Sequence, residues 1–133
     1  MKKMMTSRMG RSSSVYSNAK RQWVEFKDGR RYFFRSGWEV KYANYLEMVS
    51  KSKEVSHWTY EEDTFWFEAI RRGVRSYTPD FKIYFVDGTH HYHEVKGWMD
   101  SKSKTKLKRM AKYHPKETVI VIAEKEMKQL GLI

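Results

Sequence analysis

Apolar and polar residues alternate along several short stretches of this chain and recur at helical spacing along others, which predicts a mixed order of strands and helices. Trp23 to Phe34 alternates loosely about Asp28-Gly29, a hairpin signal. A helix is predicted from Ser36-Gly37-Trp38-Glu39 to about Ser50, because Trp38, Tyr42, Tyr45, Leu46 and Val49 recur on one face. Trp58 to Tyr60 and Thr64 to Ile70 read as strands, and Arg71-Arg72-Gly73 as a turn. Phe81 to Phe85 and His90 to Lys96 flank Asp87-Gly88 and predict a central hairpin. A second helix is expected from Asp100 or Ser101, either of which can cap it, with Leu107, Met110 and Ala111 facing inward and Pro115 after its end. Thr118 to Ala123 predicts a short buried strand, and Glu124 to Leu130 a closing helix before Gly131. Antiparallel strands followed by a helical crossover into a last strand define an α/β chain with a mixed sheet, of the α+β kind.

Charge adds a partner class to this picture. Lys and Arg number 27 against 16 Asp and Glu, a formal net charge of +11. Such an excess favours a polyanion, with nucleic acid ahead of an anionic membrane. A basic protein with no such partner is the plain alternative. Residues 1–22 carry basic residues and serines without an acid, and read as a flexible basic arm; residues 23–133 read as one domain. No cysteine is present, so disulfides and thiolate metal sites are excluded. The basic N-terminus starts like a signal peptide but is interrupted by Arg8, Gly10 and Arg11 before an apolar region forms. No run is apolar enough to span a membrane, and a cytoplasmic location is the expectation.

The candidate chemistry lies on the central hairpin. Tyr77-Thr78-Pro79-Asp80-Phe81 enters one arm, and His93-Glu94-Val95-Lys96-Gly97 leaves the other. Directly opposed residues share a sheet face, so loop length decides which side chains meet. A loop of only Asp87-Gly88 would set Asp80 opposite Val95 and separate the acids. A longer loop, Val86-Asp87-Gly88 with Gly88 left-handed, pairs Asp80 with Glu94. Lys82, Tyr84, Tyr92 and Lys96 then share their face, and Phe81, Ile83, Phe85 and Val95 take the other. Two carboxylates with a nearby lysine suit a hard divalent cation and metal-assisted phosphodiester hydrolysis. Without that role, Asp80 is a turn residue after Pro79, and Glu94 and Lys96 belong to a solvated strand face.

Glu39 admits two roles: the glutamate of a capping box started by Ser36, or a further carboxylate delivered to the site. His90, His91 and His93 lack a zinc signature, since neighbours on a strand diverge. The tryptophans and tyrosines suit core packing before base stacking.

Phe34-Arg35-Ser36-Gly37-Trp38-Glu39, Tyr77-Thr78-Pro79-Asp80-Phe81 and Glu94-Val95-Lys96-Gly97, taken in order, resemble the PD-(D/E)XK nuclease superfamily, and within it the phage Holliday-junction resolvases. The likeness covers roughly residues 33 to 122. It implies a restriction-endonuclease-like core, a central mixed sheet flanked by helices, and a homodimer with intertwined N-terminal elements. It implies that Asp80, Glu94, the Val95 backbone carbonyl and Glu39 hold Mg2+, with Mn2+ able to substitute. The resemblance also implies that Lys96 would stand beside the attacking water, with Glu39, Asp80, Glu94 and Lys96 as the expected catalytic set. Arg35, Lys102, Lys104, Lys106, Lys108, Arg109 and Lys112 are the expected nucleic-acid contacts. The implied activity is Mg-dependent endonucleolytic cleavage of branched or duplex DNA, four-way junctions above all; the alternative is a non-specific or nicking phage nuclease on single- and double-stranded nucleic acid. The chain departs from the phage enzymes at Thr59, where they carry a further acid, in the loop from Arg71 to Ser76, and in largely lacking their C-terminal extension.

Overall fold

The computed structural model of the chain describes residues 20–133, so most of the basic arm lies outside the described residues. The chain divides into two compact units, one ending at Tyr45 and the other starting at Leu46.

The first unit holds a hairpin of β1 (Gln22–Glu25) and β2 (Arg31–Phe34), then the start of α1 (Gly37–Val49). The hairpin closes through Phe26 N–H to Arg30 O at 2.8 Å and Gly29 N–H to Phe26 O at 2.9 Å. Lys27, Asp28 and Gly29 therefore form the loop, with Gly29 at φ +93°, where a side chain would be strained. Phe26 and Phe34 are buried, with rings edge to face at 6.3 Å. The Ser36 hydroxyl accepts the Glu39 N–H at 3.2 Å, and Glu39 Oε1 accepts the Arg35 N–H at 2.8 Å. These are the two halves of a capping box, with the glutamate reaching one residue further back.

The second unit is a mixed α/β fold built on a four-stranded sheet. Its strands are β3 (Val55–Tyr60), β6 (Phe81–Phe85), β7 (His90–Val95) and β8 (Val119–Ile122), in that spatial order. β3, β6 and β7 run antiparallel, and β8 lies parallel to β7 after the crossover helix α2 (Ser101–Tyr113). A small ladder of β4 (Phe65–Trp66) and β5 (Ser76–Tyr77) precedes β6, and α3 (Glu124–Gln129) follows β8. α2 packs against β5, and α3 against β8. Trp58, Tyr60, Phe81, Ile83, Val95 and Ile122 are buried along one side of the sheet register, and the Trp58 indole donates to Glu47 at 2.8 Å. A second apolar cluster joins Phe67, Tyr77 and Met110 with Phe65, Ile70, Val74, Tyr113 and Val119.

Several sequence expectations change here. The strand expected over Thr64 to Ile70 shrinks to Phe65–Trp66. Phe67 then takes its N–H to Arg75 O and its carbonyl to Ile70 N–H, so the chain turns around a buried phenyl ring instead of continuing extended. The expected buried strand is an edge strand, and Ile120 remains exposed. On α2 the inward residues are Ser103 and Met110, with Lys106 and Leu107 half-buried, whereas Ala111 is exposed. Asp100 is the cap, accepting the Ser103 N–H at 2.8 Å.

Candidate active site

The β6–β7 turn fixes the chemistry by parity. Phe85 N–H donates to Thr89 O at 2.9 Å, and Gly88 N–H to Phe85 O at 3.0 Å, so the loop is Val86-Asp87-Gly88. Gly88 has φ +92°, the left-handed residue that this loop requires. Asp87 Oδ1 accepts the Thr89 N–H at 2.9 Å, as Asp28 Oδ1 accepts that of Arg30 at 3.1 Å. The two hairpins thus share one turn chemistry, written Phe-x-Asp-Gly in both places. Phe81 pairs with His93 and Lys82 with Tyr92, where the paired register ends; continued by one step it would set Asp80 opposite Glu94. For directly opposed residues the Cβ atoms lie about 5 Å apart on one face.

Asp80 is buried, and its Oδ2 accepts the Val95 N–H at 2.9 Å. Its own carbonyl accepts the Glu61 N–H at 2.8 Å, which carries the β3–β6 ladder to the edge of the site. Glu94 Oε1 accepts the Tyr77 hydroxyl at 2.7 Å. Burial pushes the Glu94 carboxyl up, and the Tyr77 hydrogen bond, the Lys96 charge, the Asp80 backbone and the Lys106 charge only partly offset it. Burial also drives the Tyr77 phenol far above its usual range, helped by Glu94 and Asp80. Tyr77 therefore remains a neutral donor. The Lys106 ammonium stands over its ring, 5.9 Å from the centroid.

Along the same face lies a second polar group. Asp63 Oδ2 accepts from Lys82 Nζ at 2.8 Å and from the Tyr92 hydroxyl at 2.5 Å. These bonds outweigh burial and hold the Asp63 carboxyl below its usual range. Glu62 accepts the Tyr84 hydroxyl at 2.7 Å, and Thr59 at 2.5 Å. Glu61, at φ +50°, turns the chain after β3, just before these acids. Lys82 and Tyr84 thus share the face as the sequence requires, yet Lys82 is committed to Asp63.

The remaining expected site residues fall into separate places. Lys96 is half-buried just after β7, where its N–H donates to Ile122 O at 3.0 Å. Lys102, Lys104, Lys108 and Lys112 are exposed on α2, and the last three repeat every fourth residue. Arg109 differs, because its guanidinium donates to the Val74 carbonyl. Arg35 is exposed ahead of α1, and Glu39 holds the helix start as described. His91 and His93, with ring centroids 6.4 Å apart, lie on the opposite face from Glu94 by strand parity. Burial pushes His93 down to about 4, with His91 adding to the effect.

Sequence reasoning missed Tyr77 and the inward position of Lys106. Tyr77 sits three residues before Asp80, and β5 brings it under α2. Lys106 lies three residues from Ser103 and four from Met110, the helical spacing of one face.

Among the described residues no group of three or more His, Cys, Asp or Glu side chains is placed to hold a metal ion. The oxygen donors of Asp80 and Glu94 nevertheless fit Mg2+, which takes one or two carboxylates and fills its other positions with water and phosphate. No family model matches the chain, and no match is found among curated proteins. Among the described residues no helix is long and apolar enough to cross a membrane.

Proposed function

We propose that this protein is a Mg-dependent endonuclease with a restriction-endonuclease-like core, hydrolysing phosphodiester bonds in DNA. The observation that carries the reading is the buried Asp80 at the end of the β6–β7 register, its carboxylate bound to the backbone N–H of Val95, the residue after Glu94. Asp80, Glu94 and the Val95 carbonyl would hold Mg2+, and Mn2+ suits the same oxygen set. When bound, the ion supplies Lewis-acid polarisation of the phosphate and lowers the pKa of an attacking water. Tyr77 fixes the Glu94 carboxylate by its hydrogen bond. Lys96 donates to the water or to a phosphate oxygen and offsets the charge that builds as the new P–O bond forms and the sugar–oxygen bond to phosphorus breaks. Glu39 enters this set by resemblance alone.

The lysines of α2 support the nucleic-acid half of the reading. Like charges at Lys104, Lys108 and Lys112 repel along a helix face. Phosphates would relieve that repulsion through sequence-independent contacts. The preference for four-way junctions and the intertwined homodimer rest on the resemblance.

Plasmid nicking with and without Mg2+ tests the activity. Asp80→Asn, Glu94→Gln and Lys96→Ala should each abolish nicking and leave DNA binding in Ca2+ largely intact. Full activity of the Asp80 or Glu94 variant at saturating Mg2+ would remove the assignment. Parallel digestion of junction, flap, duplex and single strand separates a junction enzyme from a non-specific nuclease.

A further inference from the structure

The connection from β7 to α2 carries a side chain that the proposed reaction does not use. Trp98 is 79% exposed, the most exposed large apolar side chain among the described residues. Tryptophan is well covered on average, and this indole, more open than Trp23 or Trp66, offers a flat apolar face to a ligand. Its neighbours are Lys96 before it and Lys102 and Lys104 after it, the latter two exposed. It stands four residues beyond Glu94, a span of at most about 14 Å for an extended chain. The ring is therefore within a few nucleotides of any phosphate held beside Asp80 and Glu94.

We infer that Trp98 is a stacking platform for an unpaired base of the DNA strand bound at this site. The inference rests on the proposed DNA reading and names the feature that the protein recognises. Lys96, Lys102 and Lys104 lie within six residues of the indole along the chain, which suits a ligand with phosphates beside a flat apolar face. A nucleotide has both. In an intact duplex the base faces are stacked on one another, so an indole has nothing to cover. At a gap, a branch point or a single strand the face is open, and stacking is tolerant of sequence. A single-residue platform at the margin of the site would thus favour DNA whose pairing is interrupted.

Fluorescence anisotropy in EDTA with the full chain tests the inference. The probes are a labelled single-stranded oligonucleotide, its fully paired duplex, and the same duplex with an internal gap. Trp98→Ala should weaken binding of the single strand and the gapped duplex by about fivefold to a hundredfold, while the intact duplex changes within about twofold. Trp98→Phe should recover most of the loss, since a phenyl ring also stacks. Equal binding by wild type and Trp98→Ala on all three probes overturns stacking while leaving the nuclease reading intact. An equal loss on all three, or a change in oligomeric state by sedimentation, overturns it in favour of a general or protein–protein role. Failure of the wild-type protein to bind any probe removes both this inference and the DNA reading on which it rests.

Discussion

Tyr77→Phe isolates the hydrogen bond that holds Glu94. The substitution deletes one oxygen and keeps the ring, which is buried among Phe67 and Met110 and lies beneath Lys106. The lost bond is 2.7 Å long and runs from a neutral phenol to a carboxylate that burial already disfavours. A hydrogen bond to a charged group contributes about 1.5–3 kcal/mol. Without it the Glu94 carboxyl should rise further, so its anionic form becomes harder to maintain and its orientation looser. Groups that orient a metal ligand typically change affinity or activity by about tenfold to a hundredfold when removed. Plasmid nicking measured across a Mg2+ titration should therefore need roughly that much more Mg2+ for half-maximal rate. Much of the loss should be recovered at saturating Mg2+, which separates a positioning role from direct chemistry. A Mg2+ dependence identical to wild type, in a variant that folds normally, would refute the role given to Tyr77.

Gly88→Ala tests the turn. Its added Cβ meets nothing within 4 Å, so the cost is backbone strain at φ +92°, about 1–2 kcal/mol in urea unfolding; an unchanged midpoint would mean that the loop is not left-handed at Gly88. Asp63→Asn tests the second polar group: a carboxyl held below 3.8 contributes stability that is present above that pH and lost as pH falls through the lower folded value. Wild type should therefore lose stability on acidification below pH 4 faster than Asp63→Asn, and parallel acid-unfolding curves would contradict the pairing with Lys82 and Tyr92.

What the sequence could reveal follows from how local each signal is. The turn at Val86-Asp87-Gly88 was legible because glycine at that position and strand alternation demanded the same loop, and that loop set Phe81 opposite His93 and Lys82 opposite Tyr92. The same reasoning placed Phe81 and Ile83 in a buried face. Thr64 to Ile70 misled because Phe65 and Phe67 alternate as in a strand, whereas Phe67 and Ile70 close a turn over the cluster with Tyr77 and Met110. Only tertiary packing distinguishes the two. Lys106 was hidden among lysines of identical type, and its inward position depends on where Ser103 and Met110 point. Arg109 was read as a phosphate contact from its charge, but its guanidinium meets the Val74 carbonyl across a separation of 35 residues.

The face that carries the acids is also more enclosed than alternation alone suggests. Polar residues on alternate strand positions ordinarily face water, yet β5 and α2 pack together above this part of the sheet, and Asp80 is as buried as the core. Burial out of water disfavours the ionised form of the Glu94 carboxyl. The Val95 N–H, the Tyr77 hydroxyl, Lys96 and Lys106 offset part of that cost, and Glu94 still remains shifted up. A purely structural role would be met more cheaply by apolar residues of similar size, because breaking even does not require charge at all. By contrast, a divalent cation beside the carboxylates would attract each of them and bring the Glu94 carboxyl down. In the proposed function, the burial that disfavours the charged form of Glu94 is what a bound cation would offset. In the proposed reaction the burial of Asp80 would matter in a second way, since a drier site would strengthen the effect of Lys96 on a phosphate.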